Sequence, residues 1–153
     1  MLERIGADAS TLYGPQQRPL IQDLLRPTQL YPGVVQSLLK SGVTVSGMAH
    51  VTGGGLPENL PRCLPEETRI AIDPGSWPRP DLFTWLQQAG DIPERDMWHT
   101  FNLGIGYCLV VPADQESAVL DLCREQEQQA WTIGEVQAGA AGDPPEVLSL
   151  IHI

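Results

Sequence analysis

The sequence predicts an α/β (α+β) layered domain, in which helices flank a mixed β-sheet of four or five strands. Three observations predict it. Short β-rich apolar runs alternate with stretches of helical periodicity along the chain. Fifteen glycines and 14 prolines among 153 residues break the chain into short elements. Hydrophobic residues make up 42% of it, enough to build one core.

Residues 1–30 are poorly periodic and are interrupted by Gly14-Pro15 and Arg26-Pro27, so they read as an irregular arm with one short helix. The layered domain proper is expected over 31–153. Pro32 opens a helix to about Lys40 that carries Val34, Val35, Leu38 and Leu39 on one face, with Gly42 as its stop. Val43 to Val51 reads as a strand. Leu56, Leu60 and Leu64 are four apart and predict a short helix whose regularity Pro61 limits. Arg69 to Asp73 is a short strand. Pro80 starts a helix with Leu82, Trp85, Leu86 and Ala89 on one face, ended by Gly90, and a second short helix covers Glu94 to Phe101. Gly104 to Val111 is a buried strand. Asp114 is expected to cap a helix reaching about Gln128. Trp131 to Gln137 and Val147 to Ile151 close the chain as strands, separated by a small-residue loop. The chain ends in an apolar run and begins as abruptly, so both ends read as cuts through a longer protein.

The net charge of −10 is unlike that of proteins with a basic face for nucleic acid. No stretch approaches the ~20 apolar residues of a membrane span, and residues 1–4 show no apolar signal segment. Cys63, Cys108 and Cys123 form no Cys-x-x-Cys pair and read as buried free thiols, which suits a reducing cytoplasm. His50, His99 and His152 are too scattered for a paired metal motif, so no metal ligand is assigned. His99 and His152 read as incidental.

The most informative stretch is His50-Val51-Thr52-Gly53-Gly54-Gly55, followed by Glu58-Asn59 and Pro61-Arg62. Three glycines between a strand and a helix start mark a close backbone approach. There, unobstructed N–H groups and the positive end of the helix suit an anion. The spacing is neither Gly-x-Gly-x-x-Gly nor a Walker loop, and a ligand-free glycine turn is the other reading. Arg62 reads either as a bidentate phosphate clamp or as an ion pair with Glu58, four residues earlier. His50 reads as a proton-transfer or phosphate-contacting group, or as a structural histidine. A second segment, Thr100-Phe101-Asn102-Leu103-Gly104-Ile105-Gly106, again sets glycines beside an amide at a strand entry. Asn59 and Asn102 read as substrate-orienting groups or as loop caps.

Together these segments resemble the aminoimidazole ribonucleotide synthetase (phosphoribosylformylglycinamidine cyclo-ligase) family. His50-x-Thr52-Gly53-Gly54-Gly55-Leu56-x-Glu58-Asn59-x-Pro61-Arg62 is similar to its glycine-rich signature, and Thr100-Phe101-Asn102-x-Gly104-x-Gly106 to its second. Leu24-Leu25-x-Pro27-Thr28-x-x-Tyr31, Ser76-Trp77, Phe83-x-Trp85-Leu86 and Trp131-x-Ile133-Gly134 fit its other segments. The resemblance runs from about Leu2 to Ile151 and covers the family's C-terminal half.

The resemblance implies an ATP- and Mg²⁺-dependent closure of an imidazole ring on formylglycinamidine ribonucleotide. ATP activates the formyl oxygen, the neighbouring amine attacks, and phosphate leaves. It also implies a cytoplasmic homodimer of two-domain subunits. Residues 1–30 would lead from an N-terminal domain that supplies most of the Mg-ATP machinery. On this basis His50 is the catalytic candidate. Thr52, Gly53, Gly54, Gly55, Asn59, Arg62, Asn102, Gly104 and Gly106 are the candidates for substrate or phosphate binding. Lys40 is the only lysine, so a complete site is not expected from this chain alone. A phosphate- or nucleotide-binding module without turnover fits the same features, as does a related ATP-dependent enzyme of the selenophosphate synthetase or thiamine-monophosphate kinase type.

Overall fold

The structure, a computed structural model, describes residues 2–142 and 144–149. The strands do not form one sheet. Strand β4 (Thr68–Ile72) lies at the centre of three, antiparallel to β6 (Gly134–Ala138) and parallel to β7 (Glu146–Ser149). Strands β3 (Gly47–His50) and β5 (Tyr107–Val110) form a separate antiparallel pair, with Ala49 opposite Cys108 and His50 opposite Tyr107. The expected single sheet of four or five strands is therefore divided, although the mixed pairing and the flanking helices are present. Leu150 and Ile151, the expected end of the last strand, lie outside the described residues, as does His152.

The alternation along β3 and β5 splits the apolar residues between two cores. Ala49, Val51 and Cys108 face the larger one, with Leu56, Leu60, Ile70, Ile72, Trp77, Met97 and Trp98. Leu109 and Val111 face the smaller one, where α2 (Pro32–Lys40) and α6 (Glu116–Glu125) meet through Leu38, Val119 and Cys123. The α2 bounds match the periodicity, and Gly42 takes φ +84° just beyond its end.

The Leu56–Leu60–Leu64 pattern resolves into two pieces. Helix α3 (Gly55–Asn59) is α-helical, and Leu60–Cys63 tightens to a 3₁₀ turn with Pro61 at its second residue. Helix α4 (Asp81–Gly90) runs through Gly90 and ends at Asp91 in the left-handed region (φ 49°), and α5 is Glu94–Thr100.

Four further expectations are corrected. Residues 2–30 hold the one short helix expected, α1 (Leu20–Leu24), and also a strand pair that was not, β1 (Leu12–Tyr13) with β2 (Arg18–Pro19). Tyr13 and Leu20 are buried, and Tyr13 packs on Trp85 of α4 with ring centroids 5.8 Å apart. The Tyr13 hydroxyl donates to the Asp23 carboxylate. Burial, that bond and the Asp23 charge push the phenol up to about 12. Asp114 does not cap α6. It sits in a 3₁₀ turn, Ala113–Gln115, set up by Pro112, and α6 begins at Glu116 without a side-chain cap bond. The strands expected at 43–51 and 104–111 are confined to 47–50 and 107–110, and the one expected at 131–137 starts later and ends later, at 134–138, because β-rich composition continues into unpaired flanks. Of the three free cysteines, Cys108 and Cys123 are buried but Cys63 is only half-buried. Burial pushes the Cys108 thiol up to about 12, so it is no thiolate nucleophile at neutral pH.

Candidate functional site

The two glycine segments, about 50 residues apart in sequence, meet in space. Pairing of β3 with β5 does part of this: the Val51 N–H donates to the Gly106 carbonyl at 3.0 Å. Packing of α3 on α5 does the rest. A Cβ at Gly55 would lie 1.9 Å from the Trp98 carbonyl oxygen and 2.7 Å from that of Phe101. Only glycine fits there.

The three consecutive glycines therefore have three different surroundings. The Gly55 N–H donates to the Thr52 carbonyl at 3.0 Å, closing a turn. Gly54 takes φ 92°, ψ −8° at its third position, as a type II turn requires. A Cβ there would also meet the Glu58 side chain. Gly53 has neither constraint: a Cβ would have open space, and its φ is not positive. The main-chain N–H groups of Thr52, Gly53 and Gly54 have no partner among the described residues. Thr52 and Gly53 are exposed.

Asn59 holds this turn from inside. It is buried, and its Nδ2 donates to the carbonyls of Gly55 at 2.8 Å and Gly53 at 3.2 Å. Both amide hydrogens are thereby engaged. The Glu58–Arg62 ion pair, one of the two readings of Arg62, does not form. Glu58 turns back over Gly54, and its Oε1 lies 3.8 Å from Nδ1 of His99 on α5. Arg62 is exposed and has no ion pair among the described residues. His99, read from sequence as incidental, is thus the basic neighbour of the acid beside the glycine turn.

In the second segment, Asn102 Oδ1 accepts the Gly104 N–H at 3.1 Å. This forms an Asx turn that carries Leu103 to φ 51° and Gly104 to φ 104°. Trp77 Nε1 donates to the Leu103 carbonyl at 3.0 Å and locks the turn into the core. A Cβ on Gly104 would strike Pro80, and one on Gly106 would lie 2.0 Å from the Tyr31 hydroxyl.

His50 is exposed at the end of β3 in an aromatic cluster. Its ring centroid is 5.9 Å from Tyr31, edge-on, and 6.2 Å from Tyr107, and the two tyrosines are 5.0 Å apart. Burial holds the Tyr31 phenol above its ordinary value. The sequence reading did not foresee this cluster. The one signal for it was the β-period pairing that sets His50 opposite Tyr107.

One half-buried network supports both segments. Glu94, at the start of α5, accepts from Trp98 Nε1 at 2.8 Å and from Arg79 Nη1 at 3.1 Å. Trp98 presents its carbonyl to Gly55, and Arg79 precedes the Pro80 that touches Gly104. Burial acts to raise the Glu94 carboxyl. The bonds from Gln87 and Trp98 and the Arg79 charge outweigh that and hold it below its ordinary value.

These features define an α+β domain whose candidate site is an exposed, glycine-built turn backed by a second glycine segment, with His50 at the end of the strand that leads into it. Over residues 1–144 the chain matches the family described as "AIR synthase related protein, C-terminal domain", and it belongs to that family. It is similar to proteins called phosphoribosylformylglycinamidine cyclo-ligase. In Synechococcus sp. (strain CC9605) the identity is 62% over 143 residues, covering 94% of this chain and 41% of that protein. In Parasynechococcus marenigrum (strain WH8102) it is 61%, covering 94% and 42%. In Prochlorococcus marinus (strain MIT 9211) it is 58% over 132 residues, covering 86% and 38%. The chain thus spans about two fifths of the length of these relatives.

Proposed function

We propose that this chain supplies the C-terminal part of an ATP-dependent cyclo-ligase that converts formylglycinamidine ribonucleotide into aminoimidazole ribonucleotide, releasing ADP and phosphate in purine biosynthesis. The observation that carries this reading is the shared name of relatives that match 94% of the chain at 62% identity. ATP would supply activation of the formyl oxygen. No group of three or more His, Cys, Asp or Glu side chains able to hold a metal occurs among the described residues. Mg-ATP belongs, in this reading, to the N-terminal part of a cytoplasmic homodimer.

The residues present suit a phosphate of the ribonucleotide or nucleotide at one point. The N–H groups of Thr52, Gly53 and Gly54, consecutive in the turn, have no partner among the described residues, and successive main-chain N–H groups bind anions well. Helix α3 has only five residues, so its dipole adds little, and the amides carry the binding. Arg62 would close on the anion as a fork. Glu58 opposes it by charge, and His99 tempers that opposition when protonated. Asn59 acts as a positioning residue, because its amide hydrogens already hold the loop carbonyls. Asn102 keeps its Nδ2 to donate to substrate, and Gly104 and Gly106 keep its strand close. The exposed His50 would take the proton from the attacking amine, a role typically worth about 10²–10⁴-fold.

The test joins this chain to the N-terminal part of the Synechococcus relative and measures phosphate release from Mg-ATP. The expected result is release that depends on formylglycinamidine ribonucleotide and falls about 100-fold or more in His50→Ala. Release without the ribonucleotide, or none from a folded fusion, overturns the reading.

A further inference from the structure

The end of β3 gathers rings that the fold does not bury. Ala49 and Val51 are buried, whereas Met48, His50 and Thr52 are exposed, so these three share the outer face of the strand and of its exit. Antiparallel pairing sets Tyr107 opposite His50 and Leu109 opposite Met48. Tyr31 arrives from the start of α2, where Pro32 follows it. The rings of Tyr31, His50 and Tyr107 stand with their centroids 5.0 to 6.2 Å apart. His50 is exposed and both tyrosines are half-buried, so the cluster keeps ring surface open to solvent.

Both tyrosines are held at their far ends. The Tyr107 hydroxyl donates to Met48 Sδ at 3.6 Å. The Tyr31 hydroxyl occupies the space that a Gly106 Cβ would take. Rings fixed in advance lose little freedom when a ligand lands on them. The cluster also sits on the strand that leads into the Thr52–Gly54 amides. From His50 to Gly53 the extended chain reaches at most about 11 Å. A ribonucleotide holds its base-side ring and its phosphate one ribose apart.

We propose that Tyr31 and Tyr107 form an aromatic wall that stacks the imidazole ring of the ribonucleotide as it closes, while the ribose phosphate lies on the glycine turn. The inference rests on the cyclo-ligase reading and adds to it the residues that recognise the ring. A planar heterocycle presents a π-face, and stacking it on an aromatic side chain strengthens binding roughly tenfold. The acyclic ribonucleotide has no closed ring to offer, so the wall favours the closed form over the open one. His50, the proton acceptor of that reading, belongs to the same cluster and so stands beside the closing ring. Mg-ATP falls to the N-terminal part in that reading, which leaves the wall to the imidazole and not to adenine.

The test measures, by calorimetry on the 153-residue chain, the binding of ribose 5-phosphate, aminoimidazole ribonucleotide and AMP. Aminoimidazole ribonucleotide is expected to bind at least tenfold more tightly than ribose 5-phosphate. Tyr107→Leu should close that gap and leave ribose 5-phosphate unchanged, whereas Tyr107→Phe, which keeps the ring, should preserve it. If Tyr107→Leu fails to fold, Tyr31→Leu carries the same expectation. Gly53→Ala reports on the phosphate separately: it should weaken both ligands alike and keep the gap. Equal binding of the two ligands overturns the wall and leaves the turn as a phosphate site. A gap that survives both Tyr107→Leu and Tyr31→Leu overturns it as well. So does AMP binding more tightly than aminoimidazole ribonucleotide, which gives the wall to adenine, and so does a folded chain that binds neither. A gap lost in Tyr107→Leu but untouched binding in Gly53→Ala sustains the wall and overturns the phosphate site alone. Phosphate release by the fusion decides the cyclo-ligase reading independently of all these.

Discussion

The two glycine segments look alike in sequence but are built for different neighbours. In Thr52–Gly55 the last glycine yields to main chain, the Trp98 carbonyl at 1.9 Å, and the middle one supplies a positive φ. Only Gly53 faces open space. In Asn102–Gly106 both glycines yield to side chains, the Pro80 ring and the Tyr31 hydroxyl. Main chain cannot step aside without moving α5, whereas a tyrosine hydroxyl can swing. Glycine density alone therefore says little about ligand contact. What separates structure from site is whether a Cβ would meet protein or empty space.

That contrast can be broken in order of expected effect. Gly55→Ala should cost about 3 kcal/mol, because it overpacks against backbone at a positive φ. A loss under about 1 kcal/mol in chemical denaturation would show that α3 and α5 can part freely. Asn59→Ala should cost about 2 kcal/mol by stranding two loop carbonyls, and hydrogen exchange in residues 52–56 should rise with it. Glu94→Gln, in the network that joins the two segments, should cost about 1–2 kcal/mol at pH 7. The carboxyl is held below its ordinary value of 4.5. Its contribution is therefore present above pH 4.5 and is lost as pH falls through the lowered value, and the gap between Glu94→Gln and the parent should close in acid. A gap independent of pH would mean the charge is not what matters.

Gly106→Ala should cost about 1 kcal/mol, largely recovered in the double variant with Tyr31→Phe, since the hydroxyl is the atom displaced. Smallest in stability and most telling for function is Gly53→Ala. It should shift stability by no more than about 0.5 kcal/mol, yet weaken ribonucleotide binding about tenfold by calorimetry on the fusion. Unchanged binding would make the whole turn structural.

Much was legible without coordinates. The α2, α4 and α5 segments follow from their apolar spacing and from the prolines and glycines that bound them, and Pro61 marked where α3 would tighten. Both glycine segments were visible as motifs. What local patterns could not supply was the division of the strands into two sheets, since β propensity marks a strand but not its partner. Nor could they supply the burial of Tyr13, which packs on Trp85 some 70 residues later. The Glu58–His99 contact likewise depends on α5 lying beside α3.

By itself the sequence determined the order of the main helices and strands from residue 32 onward, the family and the candidate residues. Those depend on periodicity, capping and motif spacing, which act over a few residues. Only the tertiary structure decided which glycine is open, which amide is already engaged and which rings gather around His50. Each of these is a contact between segments distant in sequence, and no local pattern encodes the distance between two parts of a folded chain.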